Sequence, residues 1–304
     1  MRQRVLLTGG SGLLALNWAV AIRDRFAVAL GLHRRSILLG GVEHHVLDLE
    51  SVDALARTLE SIKPDIVIHT AGLTSIERCE AEPALAWHVN SELAGQVALV
   101  CARFGLPLAH ISTDHLFTGS ESQLTESHPV EPINTYGLTK AAAENRVLEA
   151  CPWALVIRTN FFGWGTGYRQ SFSDDVINGL RAGRELTLFQ DVFYTPILAE
   201  AAALAVHELI DGKACGVFNV VGDERISKYE FGISLADKFG LDSGLIKRGL
   251  IADRANLVQR PHDMSLSNQK ASGILNRKLG GVGEHIARLH QQERIGQAQE
   301  LKSL

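Results

Sequence analysis

Three side chains in the middle of this 304-residue chain have the types and spacing for acid–base chemistry on a carbonyl group. Tyr136 and Lys140 are four positions apart in a segment with a helical pattern, so their side chains share one helix face. Thr113 follows a short apolar run, at the carboxyl end of a predicted parallel strand where α/β sheets place their ligands. We therefore predict a site that reduces a ketone, in which hydride delivery leaves an oxyanion that Tyr136 protonates.

Each member of this set has a predicted role. A tyrosine of ordinary pKa, about 10, is a poor acid–base group near neutral pH. A nearby ammonium lowers that pKa, so Lys140 is expected to lower the pKa of Tyr136, while the hydroxyl of Thr113 orients the carbonyl oxygen. Taken alone, the Tyr136–Lys140 spacing is equally typical of an ordinary pair on a helix surface.

Short apolar runs alternate with longer amphipathic stretches over the first 160 residues. Such runs are typical of strands buried on both faces, and their alternation with helices predicts βαβ units. The apolar runs cover 5–7, 27–30, 66–68, 108–111 and 154–157, and the helical segments cover 13–25, 52–62, 84–104 and 136–150. The fold class is therefore predicted as α/β, with a doubly wound parallel (Rossmann) sheet.

After Thr159 the alternation of strands and helices becomes less regular. Glycines interrupt an aromatic stretch over 161–168, which predicts a loop rather than a buried element. Residues 227–230 have the form of a capping box, opening a helix that ends near Gly240. We expect 1–158 and 196–221 to form a dinucleotide-binding domain, and 159–195 and 222–304 to form a second, smaller α/β substrate lobe.

A glycine turn stands between the first predicted strand and the first helix. Its spacing is Gly9-x-x-Gly12-x-x-Ala15, and glycine there allows a sharp turn in which backbone N–H groups approach a pyrophosphate. Ser11 and Leu13 belong to the same turn. A glycine cluster alone also suits a flexible turn, but its place between strand and helix favours dinucleotide binding.

The residues after the second strand bear on the choice of cofactor. An acidic residue there would bond the ribose 2′-OH of NAD, but the chain has His33, Arg34 and Arg35 instead. Arginine suits a 2′-phosphate, so NADP(H) is favoured, NAD(H) stays open, and a solvated basic loop is the alternative. Asp48 and Leu49 are expected at the adenine ring, and backbone close to the cofactor is expected at Thr70, Ala71 and Gly72.

Composition excludes several other classes of function. The formal net charge of −4 disfavours nucleic acid as a partner, and no apolar run approaches the 18 residues of a membrane span. The N-terminal residues lack a signal-peptide pattern, and four scattered cysteines fit a reducing cytoplasm. The twelve histidines show no metal-binding spacing, so no metal is expected. The oligomeric state is left open, with a homodimer as the candidate.

The chain resembles the extended short-chain dehydrogenase/reductase family, and within it the dTDP-4-dehydrorhamnose reductases. The segments that carry this resemblance are 64–72, 89–90, 112–119, 132–140, 158–160 and 260–261. The resemblance implies that Thr113, Tyr136 and Lys140 are catalytic. It also implies that NAD(P)H reduces the 4-keto group of a deoxyhexose attached to dTDP.

The resemblance also assigns binding residues. Cofactor contacts are implied for Tyr136, Lys140, Asn90, Ser112, Thr159, Asn160 and Phe161, and substrate contacts for Thr74, His115, Phe162 and Arg260. The family usually has tyrosine where His115 stands and tryptophan near Phe161. Both substrate contact and packing therefore stay open for His115, and for the aromatic side chains near Phe162.

Two other functions are compatible with the same pattern. A nucleotide-sugar epimerase or dehydratase of this family usually retains NAD, and the missing acid after the second strand counts against it. A non-catalytic NADP-binding regulatory subunit, similar to the β subunit of methionine adenosyltransferase, would share the fold without catalysis. The presence of both Tyr136 and Lys140 favours an enzyme.

Overall fold

The computed structural model describes residues 2–254 and 256–304. Its strands are β1 (Arg4–Thr8), β2 (Ala27–Leu32), β3 (Glu43–Val46), β4 (Ile66–His69), β5 (Leu108–Ile111), β6 (Leu155–Arg158), β7 (Phe161–Phe162), β8 (Leu186–Phe189), β9 (Phe193–Tyr194), β10 (Ile197–Leu198), β11 (Gly216–Asn219), β12 (Ile226–Ser227) and β13 (Ile246–Gly249). Its helices are α1 (Leu13–Ile22), α2 (Val52–Ile62), α3 (Ile76–Ala81), α4 (Pro83–Trp87), α5 (Leu93–Arg103), α6 (Thr135–Ala150), α7 (Phe172–Arg181), α8 (Ala199–Asp211), α9 (Lys228–Phe239), α10 (Gln269–Leu275), α11 (Val282–Arg294) and α12 (Gln297–Lys302). A π-helical turn, His88–Glu92, joins α4 to α5.

Seven strands form one parallel sheet in the order β11-β6-β5-β4-β1-β2-β3. The chain winds outward in one direction from β1 to β3 and in the other from β4 to β11, so the order reverses between β1 and β4. In such sheets ligands bind at this switch point, beyond the carboxyl ends of the strands. The α/β class and the doubly wound parallel sheet are confirmed.

The sheet is buried on both faces, as the continuous apolar runs require. On one face α2, α5 and α6 pack over β1, β4, β5 and β6 through an apolar cluster that includes Leu55, Val97 and Val147. On the other face α1 and α8 contribute Trp18 and Val206 to a larger cluster. These two layers hold the strand ends rigidly, so side chains at the switch point keep fixed positions.

The second half of the chain adds three short two-stranded pairings, β7 with β10, β9 with β12 and β8 with β13. The predicted capping box is confirmed: the Ser227 hydroxyl accepts from the Glu230 amide, and α9 ends before Gly240 at φ +63°. The larger apolar cluster runs without a break from α1 into α7, α9 and α11. The division into two domains therefore stays a prediction.

One expectation for this half is wrong. The glycine-spaced aromatic stretch after Thr159 is not simply an exposed loop, because Phe161 and Phe162 form β7 and Trp164 is fully buried. The indole N–H of Trp164 donates to the Leu289 carbonyl oxygen at 3.1 Å. The physical reason is that α11 supplies an apolar surface that local sequence pattern cannot reveal.

No helix within residues 2–254 and 256–304 is both long enough and apolar enough to cross a bilayer.

Candidate active site

The glycine turn adopts the geometry that its spacing predicts. Gly9 has φ +64°, and a Cβ at this position would lie 2.8 Å from the backbone of Ala71. The Gly12 amide donates to the Gly9 carbonyl oxygen at 2.7 Å, and the Thr70 hydroxyl donates to the Thr8 carbonyl oxygen at 2.7 Å. The turn after β1 and the segment after β4 therefore lie against each other, with no room for side chains between them.

The start of α1 suits an anion. Gly12 is the N-cap residue, no side chain caps the helix, and no acidic residue lies in its first turn. The first amide groups of a helix have no partner within the helix, and the helix dipole favours negative charge there. Gly9, Ser11, Gly12 and Leu13 thus fit the phosphates of a dinucleotide.

The three basic residues His33, Arg34 and Arg35, which are predicted to lie near the adenosine part of the cofactor, are exposed after β2. The guanidinium of Arg35 lies 3.8 Å from the ring centroid of Tyr168. Asp48 is exposed after β3 and accepts a hydrogen bond from the Glu50 amide at 2.9 Å, while Leu49 is partly buried. This places a basic loop and a small apolar surface at neighbouring strand ends.

Thr113 and Tyr136 meet at the end of β5. Both are buried, with Tyr136 9% exposed and Thr113 4% exposed. Burial raises the pKa of Tyr136 to about 12, an interaction with the Thr113 hydroxyl opposes that rise, and the negative charge of Asp114 adds to it. The phenol is therefore a protonated donor at neutral pH, with the threonine hydroxyl beside it.

Lys140 lies below this pair, one helical turn along α6. Its ammonium donates to the Ile111 carbonyl oxygen at 2.7 Å and lies 3.3 Å from His110 Nε2. Burial lowers the pKa of Lys140 to about 8. In this structure burial of the phenol raises the pKa of Tyr136 and the Lys140 ammonium bonds to β5, so the lowering expected from Lys140 stays a prediction.

A row of buried polar side chains continues beneath the glycine turn. The Thr8 hydroxyl lies 2.7 Å from His69 Nδ1, and the rings of His69 and His110 stack with centroids 5.3 Å apart. Burial lowers the pKa of His69 to about 3, and the pKa of His110 falls for the same reason. Both imidazoles are therefore neutral, and Lys140 is the cation of this row.

Two predicted cofactor residues, Ser112 and Asn90, form hydrogen bonds within the protein in this site. The Ser112 hydroxyl donates to Glu144 at 2.6 Å, and Glu144 forms a buried ion pair with Arg158 at 2.7 Å. The Asn90 amide donates to the Leu73 carbonyl oxygen at 3.0 Å and accepts from the Leu73 amide at 2.7 Å. These side chains hold the strand ends and the segment after β4, and their cofactor contacts stay a prediction.

The remaining predicted cofactor residues lie at the end of β6. Thr159 is buried, and its hydroxyl has no hydrogen-bond partner among the described residues. The Asn160 amide donates to the carboxylate of Asp114, which ties β6 to the segment after β5. Phe161 is partly buried in β7. Thr159 and Asn160 therefore face the same end of the sheet as Thr113.

The predicted substrate residues are brought together only in part. The His115 ring meets the Tyr136 ring edge to face, with centroids 5.6 Å apart. Thr74 accepts from the Arg169 guanidinium at 2.7 Å, and Arg260 pairs with Glu77. Phe162 differs: its ring packs against Phe231 at 4.9 Å in the core, which leaves it 4% exposed and away from the crevice.

Sequence reasoning missed two charged side chains here. Asp114 is 2% exposed, and its negative charge acts on His115, Tyr136 and Lys228 alike. The Lys228 ammonium lies 3.4 Å from the Tyr194 ring centroid, and burial lowers its pKa to about 8. The capping box at Ser227 places Lys228 at the start of α9, but nothing local shows that this helix start faces the site.

Among residues 2–254 and 256–304, no three His, Cys, Asp or Glu side chains are grouped to hold a metal ion. The four cysteines are free, three of them buried and Cys215 exposed.

Comparison with known proteins decides the family. A family model described as RmlD substrate binding domain matches residues 3–294. The chain belongs to this family. The match spans both the parallel sheet and the second half of the chain, including every candidate site residue above.

Three curated relatives show what this family member is similar to. The probable low-salt glycan biosynthesis reductase Agl14 of Haloferax volcanii is 28% identical, over 93% of this chain and 96% of the relative. The dTDP-4-dehydrorhamnose reductase of Escherichia coli K12 is 27% identical, over 73% of this chain and 78% of the relative. Methionine adenosyltransferase 2 subunit beta of Rattus norvegicus is 29% identical, over 93% of this chain and 84% of the relative.

Solved structures agree on the fold. A hypothetical dTDP-4-dehydrorhamnose reductase from Sulfolobus tokodaii is 30% identical, with a TM-score of 0.80 over 91% of this chain and 97% of that chain. A dTDP-4-dehydrorhamnose reductase from Bacillus anthracis, in complex with NADP, is 22% identical. Its TM-score is 0.86 over 96% of this chain and 100% of that chain. The second likeness supports the architecture alone.

Proposed function

We propose that the chain is an NADPH-dependent reductase of a 4-keto nucleotide sugar. The observation that carries this proposal is the meeting of Thr113 and Tyr136 at the end of β5, with Lys140 beneath them, at the same sheet edge as an uncapped glycine turn. Both curated and solved relatives named as reductases support it. The basic residues Arg34 and Arg35 after β2 favour NADP(H), and NAD(H) stays open.

The glycine turn would hold the dinucleotide phosphates on the first amides of α1, with the ribose and nicotinamide toward β4 and β5. When bound, the reduced nicotinamide would supply the hydride. Thr70, Ala71 and Gly72 line the close approach between the turn and β4, where a Cβ at Gly9 would collide with the Ala71 backbone. The residues present therefore suit the group that the reaction needs.

The proton comes from this chain. The Tyr136 phenol is kept protonated by burial and would donate its Oη proton to the carbonyl oxygen as that oxygen gains negative charge. The Thr113 hydroxyl would donate a second hydrogen bond to the same oxygen and so orient it. The Lys140 ammonium, fixed on Ile111, would stabilise the developing negative charge electrostatically.

The substrate side is rich in cations. Arg169 donates to Thr74, and the charges of Lys228 and Arg260 act on His115, so all three cations lie near predicted substrate residues. Such cations suit the diphosphate of a nucleotide sugar. His115, packed edge to face on Tyr136, would contact the sugar near its reacting carbon, and Thr74 would lie at the same opening.

A substrate panel tests this proposal. Purified protein is given NADPH and a series of 4-keto nucleotide sugars, including the dTDP-linked 4-keto-6-deoxyhexose, and the loss of NADPH absorbance is followed. Turnover with at least one 4-keto nucleotide sugar is expected. NADPH binding without turnover on any of them would contradict the proposal.

The two alternatives give different results in the same experiment. A nucleotide-sugar epimerase or dehydratase would release NAD on denaturation and convert its substrate without net NADPH loss. A regulatory subunit, as the likeness to the rat β subunit allows, would bind NADP without turnover, and its affinity for a partner would not change in Tyr136→Phe. A cytoplasmic location, the two-domain division and a homodimer also remain proposals, of which light scattering tests the last.

A further inference from the structure

The loop between β7 and α7 crosses toward the glycine turn and carries Tyr168 at its tip. Its base is fixed to α1: the Asn17 amide donates to the Trp164 carbonyl oxygen at 2.7 Å and accepts from the Trp164 amide at 3.2 Å. The Thr166 amide donates to the Arg169 carbonyl oxygen at 2.8 Å and closes a tight turn around the tip. These hydrogen bonds fix the loop, and they thereby fix the position of Tyr168.

Tyr168 joins two parts of the predicted cofactor site. Its phenol donates to the Ser11 carbonyl oxygen at 2.7 Å, within the glycine turn. The face of the same ring carries the guanidinium of Arg35 at 3.8 Å from the centroid. One aromatic ring thus holds the plane of Arg35 beside the turn that would bind the phosphates.

Arg35 differs from other arginines of this chain in what its N–H groups do. Arg23 and Arg277 each donate two hydrogen bonds to a glutamate, Glu300 and Glu208 respectively. Within residues 2–254 and 256–304, no carboxylate or carbonyl oxygen accepts from Arg35. A guanidinium that is held by one face and keeps its donors free is suited to a bidentate anion such as a phosphate.

We propose that Tyr168 is a positioning residue for the adenosine 2′-phosphate, holding Arg35 beside the glycine turn so that Arg35, rather than Arg34, binds that phosphate. This inference rests on the proposed function, since it assumes a dinucleotide at the glycine turn. It goes further by assigning a cofactor-discriminating residue to a loop outside the predicted dinucleotide-binding segments. Within the described residues, Arg34 also has no hydrogen-bond partner, but unlike Arg35 it has no aromatic ring to hold its guanidinium in place.

The test is calorimetric titration with NADP⁺ and NAD⁺, which differ only by the 2′-phosphate. Arg35→Ala is expected to lower the preference for NADP⁺ about tenfold or more, because it removes charge-assisted hydrogen bonds. Tyr168→Ala is expected to lower it about two- to fivefold, the size of a partly exposed cation–π contact. Tyr168→Phe keeps the ring and should keep the preference. Arg34→Ala removes the same charge without touching the Tyr168 contact and should lower the preference less than Arg35→Ala does.

A double variant separates positioning from a merely structural role. In the Arg35→Ala background, Tyr168→Ala should leave the ratio of NADP⁺ to NAD⁺ affinity unchanged, because Arg35 is the group that Tyr168 positions. The inference is overturned if Tyr168→Ala weakens both nucleotides equally, if it lowers the ratio without Arg35, or if Arg34→Ala carries the loss. Failure of the wild-type protein to bind either nucleotide would instead overturn the proposed function itself.

Discussion

The Lys140 ammonium donates a 2.7 Å hydrogen bond to the carbonyl oxygen of Ile111, the last residue of β5. Helix α6 is thereby joined to the strand end where Thr113 follows two residues later. The bond fixes a buried positive charge below the phenol of Tyr136 without engaging that phenol. In the proposed mechanism, Tyr136 therefore donates the proton and Lys140 stabilises charge as a separate group.

The burial of Lys140 makes stability depend on pH in a defined direction. Its pKa falls from 10.5 to about 8, so between these values the unfolded chain holds a proton that the folded chain has released. The contribution of Lys140 to the free energy of unfolding should therefore rise with pH over this window, against an opposite contribution from the buried thiols, whose pKa values are raised by burial. Lys140→Met should reduce the rise between about pH 7.5 and about pH 9.5 by roughly 1–2 kcal/mol, measured by urea denaturation.

Two controls accompany that measurement. Lys228→Met should reduce the rise similarly, because burial lowers the pKa of Lys228 to about 8 as well. Lys278→Met changes an exposed lysine and should leave the slope as in the wild type. The measurement stops below pH 10, because the raised pKa of Tyr136 makes stability fall once unfolded tyrosine loses its proton. An unchanged slope in Lys140→Met would show that its amine is not buried as a cation.

Gly9→Ala should abolish cofactor binding while leaving a folded protein. A Cβ at Gly9 would lie 2.8 Å from the Ala71 backbone, which forces the turn and the segment after β4 apart. Gly105→Ala is the matched control, since Gly105 has nearly the same φ, +63°, but nothing within 4 Å of its Cβ position. Both variants should lose about 1 kcal/mol from left-handed backbone strain. Only Gly9→Ala should weaken NADPH binding, by more than about tenfold, and equal binding in both would reject the close-approach argument.

Glu144→Ala should be strongly destabilising. Glu144 is 4% exposed, accepts three hydrogen bonds from Arg158 and one from Ser112, and its removal leaves Arg158 buried without a counter-charge. We expect a loss of about 3–5 kcal/mol in the free energy of unfolding. Glu82→Ala breaks an exposed pair with Arg78 and should leave the free energy of unfolding nearly unchanged. Similar losses in the two variants would contradict the role given to the buried pair.

Much of the fold could be predicted from local pattern. The strands of the parallel sheet are short continuous apolar runs, so β4 and β5 were identifiable from residues 66–68 and 108–111 alone. The start of α9 was identifiable because Ser227 and Glu230 bond reciprocally within one turn. Burial of Trp164 was not identifiable, since it depends on α11, more than a hundred residues further along the chain.

The positions of the candidate site residues were also predictable from local pattern, but their electrostatics were not. Thr113 follows a recognisable strand and Tyr136 lies on a recognisable helix, and the parallel topology brings them together. The electrostatics were not predictable, because the pKa of Tyr136 depends on burial and on Asp114 rather than on its spacing from Lys140. For Phe162 the sequence left substrate contact and packing open, and its contact with Phe231 places the ring in the core.

The most direct measurement compares wild-type protein with Tyr136→Phe for NADPH affinity and for single-turnover reduction of the active 4-keto nucleotide sugar. Phenylalanine keeps the ring that packs against His115 and removes only the proton donor, so NADPH affinity should stay nearly unchanged. The rate of reduction should fall about 10²- to 10⁴-fold, the usual contribution of a general acid. Tyr229→Phe, on α9, should leave both quantities unchanged. Full reduction by Tyr136→Phe would contradict the assignment of Tyr136 as the acid.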